Sequence, residues 1–396
     1  MPSDDSSPGH ARSLNGPPSA TPGSADPDPD VDTAKAVEHA LDLYLKQRLG
    51  EAEALDPQFA DDVASRVRTF ALRGGKRLRA QFAWWGWRAG RGEAAGTGAQ
   101  SALRLGAALE LIQTCALIHD DVMDGSSLRR GAPALHVEFA EEHERSGMRG
   151  NHAAHGRASA ILAGDLALAW ADDLISDIDC SPPVGKRIHT LWRSMRAEMV
   201  AGQYLDMYAQ ADSSASPDRA LRIALLKTSL YTVERPLELG AVLAGADQTT
   251  ISPLCSAGRS AGVAFQLRDD LLGVFGDPAA TGKPAGEDVR SGKLTYLTAV
   301  ATRSLTDATR DASDRRLLNQ ALGNAALSQA DLDGLCELLE RTGARGMTEA
   351  EIDRLLCRSE EELLRADLPS VVHSRLSSLM GISVKPDLAL ASPVIG

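Results

Sequence analysis

Three aspartates near the first third of the chain have the spacing of a metal site. Asp120, Asp121 and Asp124 stand in the segment 117–124 (LIHDDVMD), directly after a largely apolar run at 101–118. Helix positions four apart lie on one face, so Asp120 and Asp124 point the same way. Acids at a helix C-terminus repel each other and the helix dipole unless cations are bound, and Mg²⁺ uses a few carboxylates with water and phosphate oxygens. A solvated acidic helix end is the alternative that this segment alone leaves open.

A second pair of acids strengthens the metal hypothesis. Asp269 and Asp270 close another apolar run in the segment 265–273 (FQLRDDLLG). Two helices that each carry paired acids after a hydrophobic stretch predict a cavity with magnesium ions between them. A solvated acidic helix end, the alternative for the first motif, does not readily explain why the same arrangement of acids occurs twice.

Basic residues stand where a polyanionic ligand of these ions would be held. The segment 73–79 (RGGKRLR) places two glycines before three cations, and Arg129 and Arg130 follow the first acidic motif closely. Glycine permits close backbone approach and arginine makes two-pronged contacts with phosphate. A basic helix start is the alternative for the first segment. Further cations are Lys227, Lys283 and Lys293, the last two on a Gly/Pro-rich segment that we expect to close as a lid.

The elements that position these groups read as helices almost throughout. Val37, Ala40, Leu41 and Tyr44 repeat at helical spacing, and alternating strand patterns are nearly missing. We predict an all-α fold, a single large helical bundle around an elongated cavity, over residues 33–385. Residues 1–32 are rich in Pro, Ser, Gly and Asp and predict a disordered tail, and 386–396 a flexible end. The segment 141–156, with its three histidines, reads as a solvated surface loop rather than a metal site.

Composition bounds the class of protein. The net charge of −12 argues against a nucleic-acid partner. No run of eighteen uninterrupted apolar residues predicts a membrane span. Five dispersed cysteines without zinc spacing are typical of free thiols in a reducing compartment. We therefore expect a cytoplasmic protein.

Together the motifs resemble the trans-type isoprenyl diphosphate synthases, the polyprenyl synthetases, and most of all the bacterial geranylgeranyl diphosphate synthases. The match rests on GGKRLR, LIHDDVMDGSSLRRGAPALH, GDLAL at 164–168, GQYLD at 202–206, KT at 227–228 and FQLRDD at 265–270, and spans about residues 35–300. The resemblance implies an enzyme that adds isopentenyl diphosphate to an allylic diphosphate. It also implies a homodimer. One departure is Gly273, where the family often has a final aspartate. We expect that Asp277, one turn further, does not substitute for it.

The resemblance also implies roles for individual residues. The metal-free isopentenyl diphosphate site would consist of Lys76, Arg79, Gln113 and Arg130. Three Mg²⁺ ions would be held by Asp120, Asp124 and Asp269, with Asp121 and Asp270 as further ligands or supports. The allylic phosphates would be neutralised by Arg129, Lys227 and Lys283, and the site supported by Gln203 and Asp206. The carbocation formed when the allylic diphosphate leaves would be stabilised by the carbonyl of Lys227 and the side chains of Thr228 and Gln266, while the departing diphosphate takes the proton.

Product length follows from the helix that ends near Asp120. Ala116 and Ile112 lie one and two turns earlier on its stripe, with Cys115 adjacent, and each turn of about 5.4 Å is comparable to one isoprene unit. In the family an aromatic residue at Cys115 or Ala116 blocks growth at fifteen carbons. Small residues here predict geranylgeranyl diphosphate, with longer chains as the alternative.

Two other functions share part of this residue pattern. A class I terpene cyclase also uses an aspartate motif and magnesium, but it expects an Asn/Ser/Glu metal triad downstream and needs no second diphosphate site. A non-catalytic partner subunit should have lost part of its acidic or basic set. Apart from Gly273, this chain keeps both sets.

Overall fold

The computed structural model describes residues 27–212, 216–276, 285–306 and 312–384. Asp277 and Lys283 lie outside these ranges. The division of the chain at residues 32 and 385 stays a prediction. Asp30, placed by the sequence in the tail, accepts a hydrogen bond from Trp84 Nε1 at 2.9 Å, and Asp32 caps the first helix.

The N-terminal half consists of helices around one long central helix. They are α1 (Thr33–Leu55), α2 (Pro57–Phe59), the π-helix π1 (Ala60–Ala64), α3 (Ser65–Leu72), α4 (Leu78–Ala89), α5 (Gly96–Asp124), α6 (Leu135–Arg145), α7 (His152–Ser176) and α8 (Pro182–Ala211). Between α5 and α6 lies a small antiparallel hairpin, β1 (Leu128–Arg129) and β2 (Ala132–Pro133).

The C-terminal half is also helical. It contains α9 (Pro217–Ile223), the π-helix π2 (Ala224–Glu234), α10 (Arg235–Leu243), α11 (Gln248–Phe275), α12 (Glu287–Arg290), α13 (Tyr296–Ser304), α14 (Ala312–Ala321), α15 (Gln329–Arg341), α16 (Ala344–Arg365) and α17 (Ser370–Val384). The predicted all-α fold is confirmed.

Helix α5 is the centre of the larger hydrophobic core. Every residue from 105 to 112 is buried, and eight successive positions cover all directions around a helix, which is the pattern of a helix enclosed on every side. It is the one helix of the described residues long and apolar enough to cross a membrane, and 72% of its apolar window is buried inside the protein. Its composition is therefore explained by the core.

Two local predictions need correction. The segment 141–156 is not one surface loop, because α6 runs to Arg145 and α7 begins at His152. His143 is buried and its Nε2 lies 3.1 Å from the carbonyl of Arg149, so this histidine closes a helix end. Asp269 and Asp270 do not end their helix either, since α11 continues to Phe275.

Candidate active site

Asp120 and Asp269 line the same cavity. This cavity of about 340 Å³, the polar cavity, lies between α5, π2 and α11 and is lined by charged residues from several elements. They are Lys76, Arg77, Arg79, Glu110, Asp120, Arg129, Arg130, Asp206, Lys227, Asp269, Asp270 and Lys293. Two acidic helices and a basic loop, distant in sequence, are thus brought together as the sequence analysis expected.

The carboxylate of Asp120 is held by polar groups of two other elements. Gln203 Nε2 donates to its Oδ1 at 3.0 Å, and Lys227 Nζ lies 3.6 Å away. Lys227 also donates to Asp206 at 2.7 Å. Gln203 and Asp206 therefore fix Asp120 and Lys227 from α8. The supporting role that the resemblance implies for them stays a prediction.

Asp121 and Asp124 have different environments from Asp120. Asp121 is buried and accepts from Arg129 Nε at 2.8 Å, so its carboxylate is engaged by that arginine. Burial raises the pKa of Asp121, although Arg129 opposes the shift. Asp124 is exposed and lines neither cavity, and a partial loss of hydration together with Asp120 raises its pKa. Of the three acids, Asp120 faces the polar cavity.

The second acidic pair divides in the same way. Asp269 is exposed, whereas Asp270 is buried and accepts a hydrogen bond from Gln266 Nε2 at 2.8 Å. Burial raises the pKa of Asp270 to about 8. Gln266 in turn accepts from Thr228 Oγ1 at 2.5 Å, so Thr228, Gln266 and Asp270 form one hydrogen-bonded chain from π2 to α11.

Asp288 was not selected by the sequence analysis, and Lys293 was named there only as a further cation on the expected lid. A Cβ at Gly273 would lie 2.9 Å from Oδ2 of Asp288. The carboxylate of Asp288 therefore occupies the space beside Gly273, the position at which this chain lacks the family's final aspartate. Lys293 Nζ lies 3.5 Å from Oδ1 of Asp288. Burial would lower the pKa of Lys293, but the surrounding aspartates, Asp288 first, outweigh it and raise the pKa. Nothing in the sequence indicated that Asp288, fifteen positions after Gly273, would lie beside that glycine.

The basic loop before α4 is rigidly placed. Arg77 has a left-handed backbone with φ of 48°, and its buried guanidinium donates to the buried carboxylate of Glu110 at 2.8 Å. Gly75, with φ of 126°, lies so near Arg130 that a Cβ would be 3.1 Å from Nη2. Arg130 donates to the carbonyl of Gly74. Lys76, which is exposed, lines the polar cavity together with Arg130.

Arg79 lies between the polar cavity and a second cavity. Its Nη2 donates to Thr232 Oγ1 at 2.9 Å, and its guanidinium stacks over the Tyr231 ring at 4.3 Å. The second cavity, the apolar channel, has a volume of about 470 Å³. Its wall includes Cys115, Ala116, His119, Met123, Leu168, Arg196, Met199, Val200, Tyr204, Met207 and Tyr231.

The predicted chain-length residues separate at this channel. Cys115 and Ala116 line it, whereas Ile112 is fully buried in the core and lines neither cavity. A helix with 3.6 residues per turn rotates by about 40° over four residues, so a position two such steps from Asp120 has turned about 80° away. Ile112 therefore lies in the core, and its role in setting chain length stays a prediction. Trp84, Trp85 and Trp87 are also core residues and line neither cavity.

The π-helix π2 carries the segment between the two cavities. Lys227 and Thr228 line both of them. Gly202 on α8 allows the backbone at Lys227 to approach so closely that any Cβ would collide with it. Wide helical turns of this kind are rare and occur mainly at functional sites. Periodicity gave no sign of π2, although Gly202 in GQYLD marked a close backbone approach.

The residues present fit a magnesium ion shared with a ligand. No group of three or more ligating side chains surrounds one point in the described ranges. Mg²⁺ rarely uses an all-protein cage and takes one or two carboxylates together with substrate phosphates. Asp120 and Asp269, which reach one cavity from two different helices and share its lining with several cations, match that chemistry.

Comparison with known proteins decides the family. The polyprenyl synthetase family model matches residues 62–339. The chain belongs to this polyprenyl synthetase family. The protein is a prenyl diphosphate synthase, a transferase, and the predicted family and enzyme class are confirmed.

Individual relatives of the synthase carry different product names. It is 32% identical over 290 residues to the (2E,6E)-farnesyl diphosphate synthase of Mycobacterium tuberculosis, covering 72% of this chain and 74% of that protein. It is 31% identical to the geranylfarnesyl diphosphate synthase of Aeropyrum pernix, covering 70% and 80%.

A solved structure is similar over most of both chains. It is the geranylgeranyl pyrophosphate synthase of Corynebacterium glutamicum, complexed with isoprenyl diphosphate and magnesium. The TM-score is 0.81 at 37% identity, covering 88% of this chain and 98% of that one. These names agree on prenyl diphosphate synthesis and differ in chain length.

Proposed function

We propose that the synthase condenses isopentenyl diphosphate with an allylic diphosphate to give geranylgeranyl diphosphate, in a magnesium-dependent reaction. The observation that carries the proposal is the shared polar cavity, which Asp120 and Asp269 line together with Lys76 and Arg130. Opposed acids suit metal-bound diphosphate, and the separate cations suit a second, metal-free diphosphate.

The acids divide into ligands and supports. Asp120, Asp124 and Asp269 would hold three Mg²⁺ ions together with the allylic diphosphate. When bound, these ions neutralise the diphosphate as it leaves. Asp124 lines neither cavity, but it lies near enough to the cavity residues Lys293 and Lys227 for their charges to lower its pKa against the effect of burial. Asp121 and Asp270 act as supports, because each is buried and already engaged by Arg129 or Gln266.

Asp288 takes the place of the missing motif aspartate at Gly273. Its Oδ2 fills the space that a side chain at that position would occupy. It also holds Lys293 toward the polar cavity. Asp277 is then not needed for this role.

The cations bind the two substrates on opposite sides of Asp120. Isopentenyl diphosphate contacts Lys76, Arg79, Gln113 and Arg130, all of which line the polar cavity. The allylic phosphates contact Arg129 and Lys227, which border the Asp120 side. Lys283 lies outside the described residues, and its role as a further allylic contact stays a prediction.

Thr228, Gln266 and the Lys227 carbonyl stabilise the allylic cation by their dipoles. Thr228 lines both cavities and is hydrogen-bonded to Gln266. Its oxygen is therefore held at the boundary between the polar cavity and the apolar channel. Oriented dipoles in a water-poor site stabilise developing charge without reorganisation. The departing diphosphate takes the proton that completes the condensation.

The channel wall favours a long product. Cys115 and Ala116 are small and line the apolar channel one turn below the acids. A growing chain meets no aromatic side chain at those two positions. This supports a twenty-carbon product over a fifteen-carbon one.

We also propose a homodimer in the cytoplasm. Large apolar side chains are exposed on α7 and α8, among them Leu162 and Tyr204, each 63% exposed. Patches of this kind mark protein interfaces, and a second copy of this chain would cover the open side of the channel. The five cysteines are free thiols, which suits a reducing compartment.

Product analysis tests the function. The purified protein is incubated with Mg²⁺, isopentenyl diphosphate and each allylic starter of five, ten or fifteen carbons, and the products are sized. We expect elongation of all three to a twenty-carbon product and none after chelation of the metal. A cyclic hydrocarbon product would instead indicate a cyclase, and no elongation with any starter a non-catalytic subunit.

A further inference from the structure

The apolar channel ends at a charged residue. Helix α8 lines it with one continuous face that consists of Arg196, Met199, Val200, Gln203, Tyr204 and Met207. These positions recur at steps of three and four residues, as one side of a helix requires. Arg196 is the end of this face farthest from Met207, and it is the sole cation among the six.

Arg196 is fixed by a partner on the neighbouring helix. Its Nη1 forms an ion pair with Oδ2 of Asp172 on α7, one turn beyond Leu168, the residue of α7 that lines the channel. The other oxygen of Asp172 accepts from Trp192 Nε1 at 2.6 Å. Trp192 is buried one turn before Arg196 on α8 and lies outside the channel wall, so the indole holds Asp172 in place for Arg196.

The position of Arg196 along the channel follows from the helix rise. Gln203 is hydrogen-bonded to Asp120 and therefore marks the polar end. Arg196 is seven residues earlier on α8, about 10 Å along the axis. This distance is comparable to two isoprene units, which places Arg196 in the path of a growing chain rather than beside the diphosphates.

We infer that Arg196, held by Asp172, is a specificity-determining residue that terminates chain growth in the apolar channel. The inference rests on the proposed function and adds a second limit, on the wall opposite Cys115 and Ala116. A hydrocarbon end that advances past Arg196 must push the guanidinium from Asp172. The side chains of Arg196 and Asp172 are 29% and 42% exposed, so both groups stay partly hydrated. The cost of passing is the loss of their charge-assisted hydrogen bond and the contact of hydrocarbon with a hydrated guanidinium.

The test compares product profiles of the full-length enzyme with farnesyl and geranylgeranyl diphosphate as starters. In Arg196→Ala the channel extends into the space of the guanidinium. We expect the ratio of longer to wild-type product to rise about tenfold or more, the discrimination typical of a pocket that gains space for apolar groups. We also expect Arg196→Ala to elongate geranylgeranyl diphosphate, which the wild type leaves nearly unchanged.

Arg193→Ala is the matched control. Arg193 is an exposed arginine on the same helix and lines neither cavity, so its removal should leave the product profile as in the wild type. A shift of equal size in this control would overturn the inference, since general loss of surface charge on α8 would then explain both results.

A second variant covers the case in which Arg196→Ala does not fold. Arg196→Leu is shorter and apolar, packs against Met199 and Val200, and should lengthen the product in the same direction. An active Arg196 variant with an unchanged profile overturns the inference and leaves the proposed function intact. A wild type that elongates no starter overturns the proposed function itself.

Discussion

The polar cavity and the apolar channel share one wall but are built differently. Both are lined by Arg79, Gln113, Leu117, Asp120, Lys227 and Thr228. The polar cavity takes its charges from a loop, a hairpin and several helices, and ion pairs between elements hold them. The channel is mainly the faces of α5 and α8. We therefore expect substitutions in the cavity to abolish turnover and those in the channel to change which product forms.

Removal of an acid that faces the polar cavity should have the largest effect. For Asp120→Ala and for Asp269→Ala we expect kcat/KM to fall by at least about 10²-fold, because a preorganised charge that acts on the leaving group is lost. Steady-state assays measure this. Asp367→Ala is the control, since this exposed aspartate pairs with Arg91 on the surface. Variants that keep activity within a few fold of wild type would contradict the ligand assignment.

The loss of a single cation should separate the two diphosphate sites. In Lys76→Ala we expect the KM for isopentenyl diphosphate to rise about tenfold to a hundredfold, the range for a lost hydrogen bond to a charged group, with little change in the KM for the allylic substrate. Lys35→Ala, an exposed lysine on α1, serves as the control. Equal increases in both constants would argue against separate sites.

A bulky residue in the channel should change the product and leave catalysis in place. We expect Ala116→Phe to shift the product from twenty toward fifteen carbons, with a change of about tenfold or more in their ratio. Sizing the products with a ten-carbon starter measures the shift. Ala154→Phe, at an exposed position of α7, should give the wild-type profile.

Ile112→Phe provides the contrast with the core. Because Ile112 is fully buried and lines neither cavity, overpacking should lower the free energy of unfolding by about 1–3 kcal/mol. The product profile of the folded fraction should stay that of the wild type. A shortened product from Ile112→Phe would contradict this prediction and would show that Ile112 limits the length of the product.

The smallest effect is expected at the boundary of the two cavities. Thr228→Val keeps the shape of the side chain but removes the donor to Gln266. We expect kcat to fall about three- to tenfold, the value of one hydrogen bond, with KM values unchanged. Thr228→Ser should restore most of the rate because the hydroxyl returns. A rate equal to wild type in Thr228→Val would remove Thr228 from the proposed cation stabilisation.

Much of the fold and of the candidate site could be predicted because its signals are local. The apolar runs before Asp120 and Asp269 predicted the two acidic helices, and both lie on the shared cavity. Asp288 was missed because only folding brings it beside Gly273, fifteen positions earlier. The π-helix was missed because its wide turn depends on the contact between Gly202 and Lys227.

Sequence alone determined which chemical groups the protein has and on which helices they lie, since residue type and helical period are local properties. Tertiary structure decided which acid of each pair is buried. Asp121 and Asp270 are buried and engaged by Arg129 and Gln266, while their neighbours Asp120 and Asp269 stay accessible in the polar cavity, which Asp270 also borders. It also decided that Ile112 belongs to the core. Adjacent residues on a helix point about 100° apart, and only the packing of the other helices determines which direction is buried.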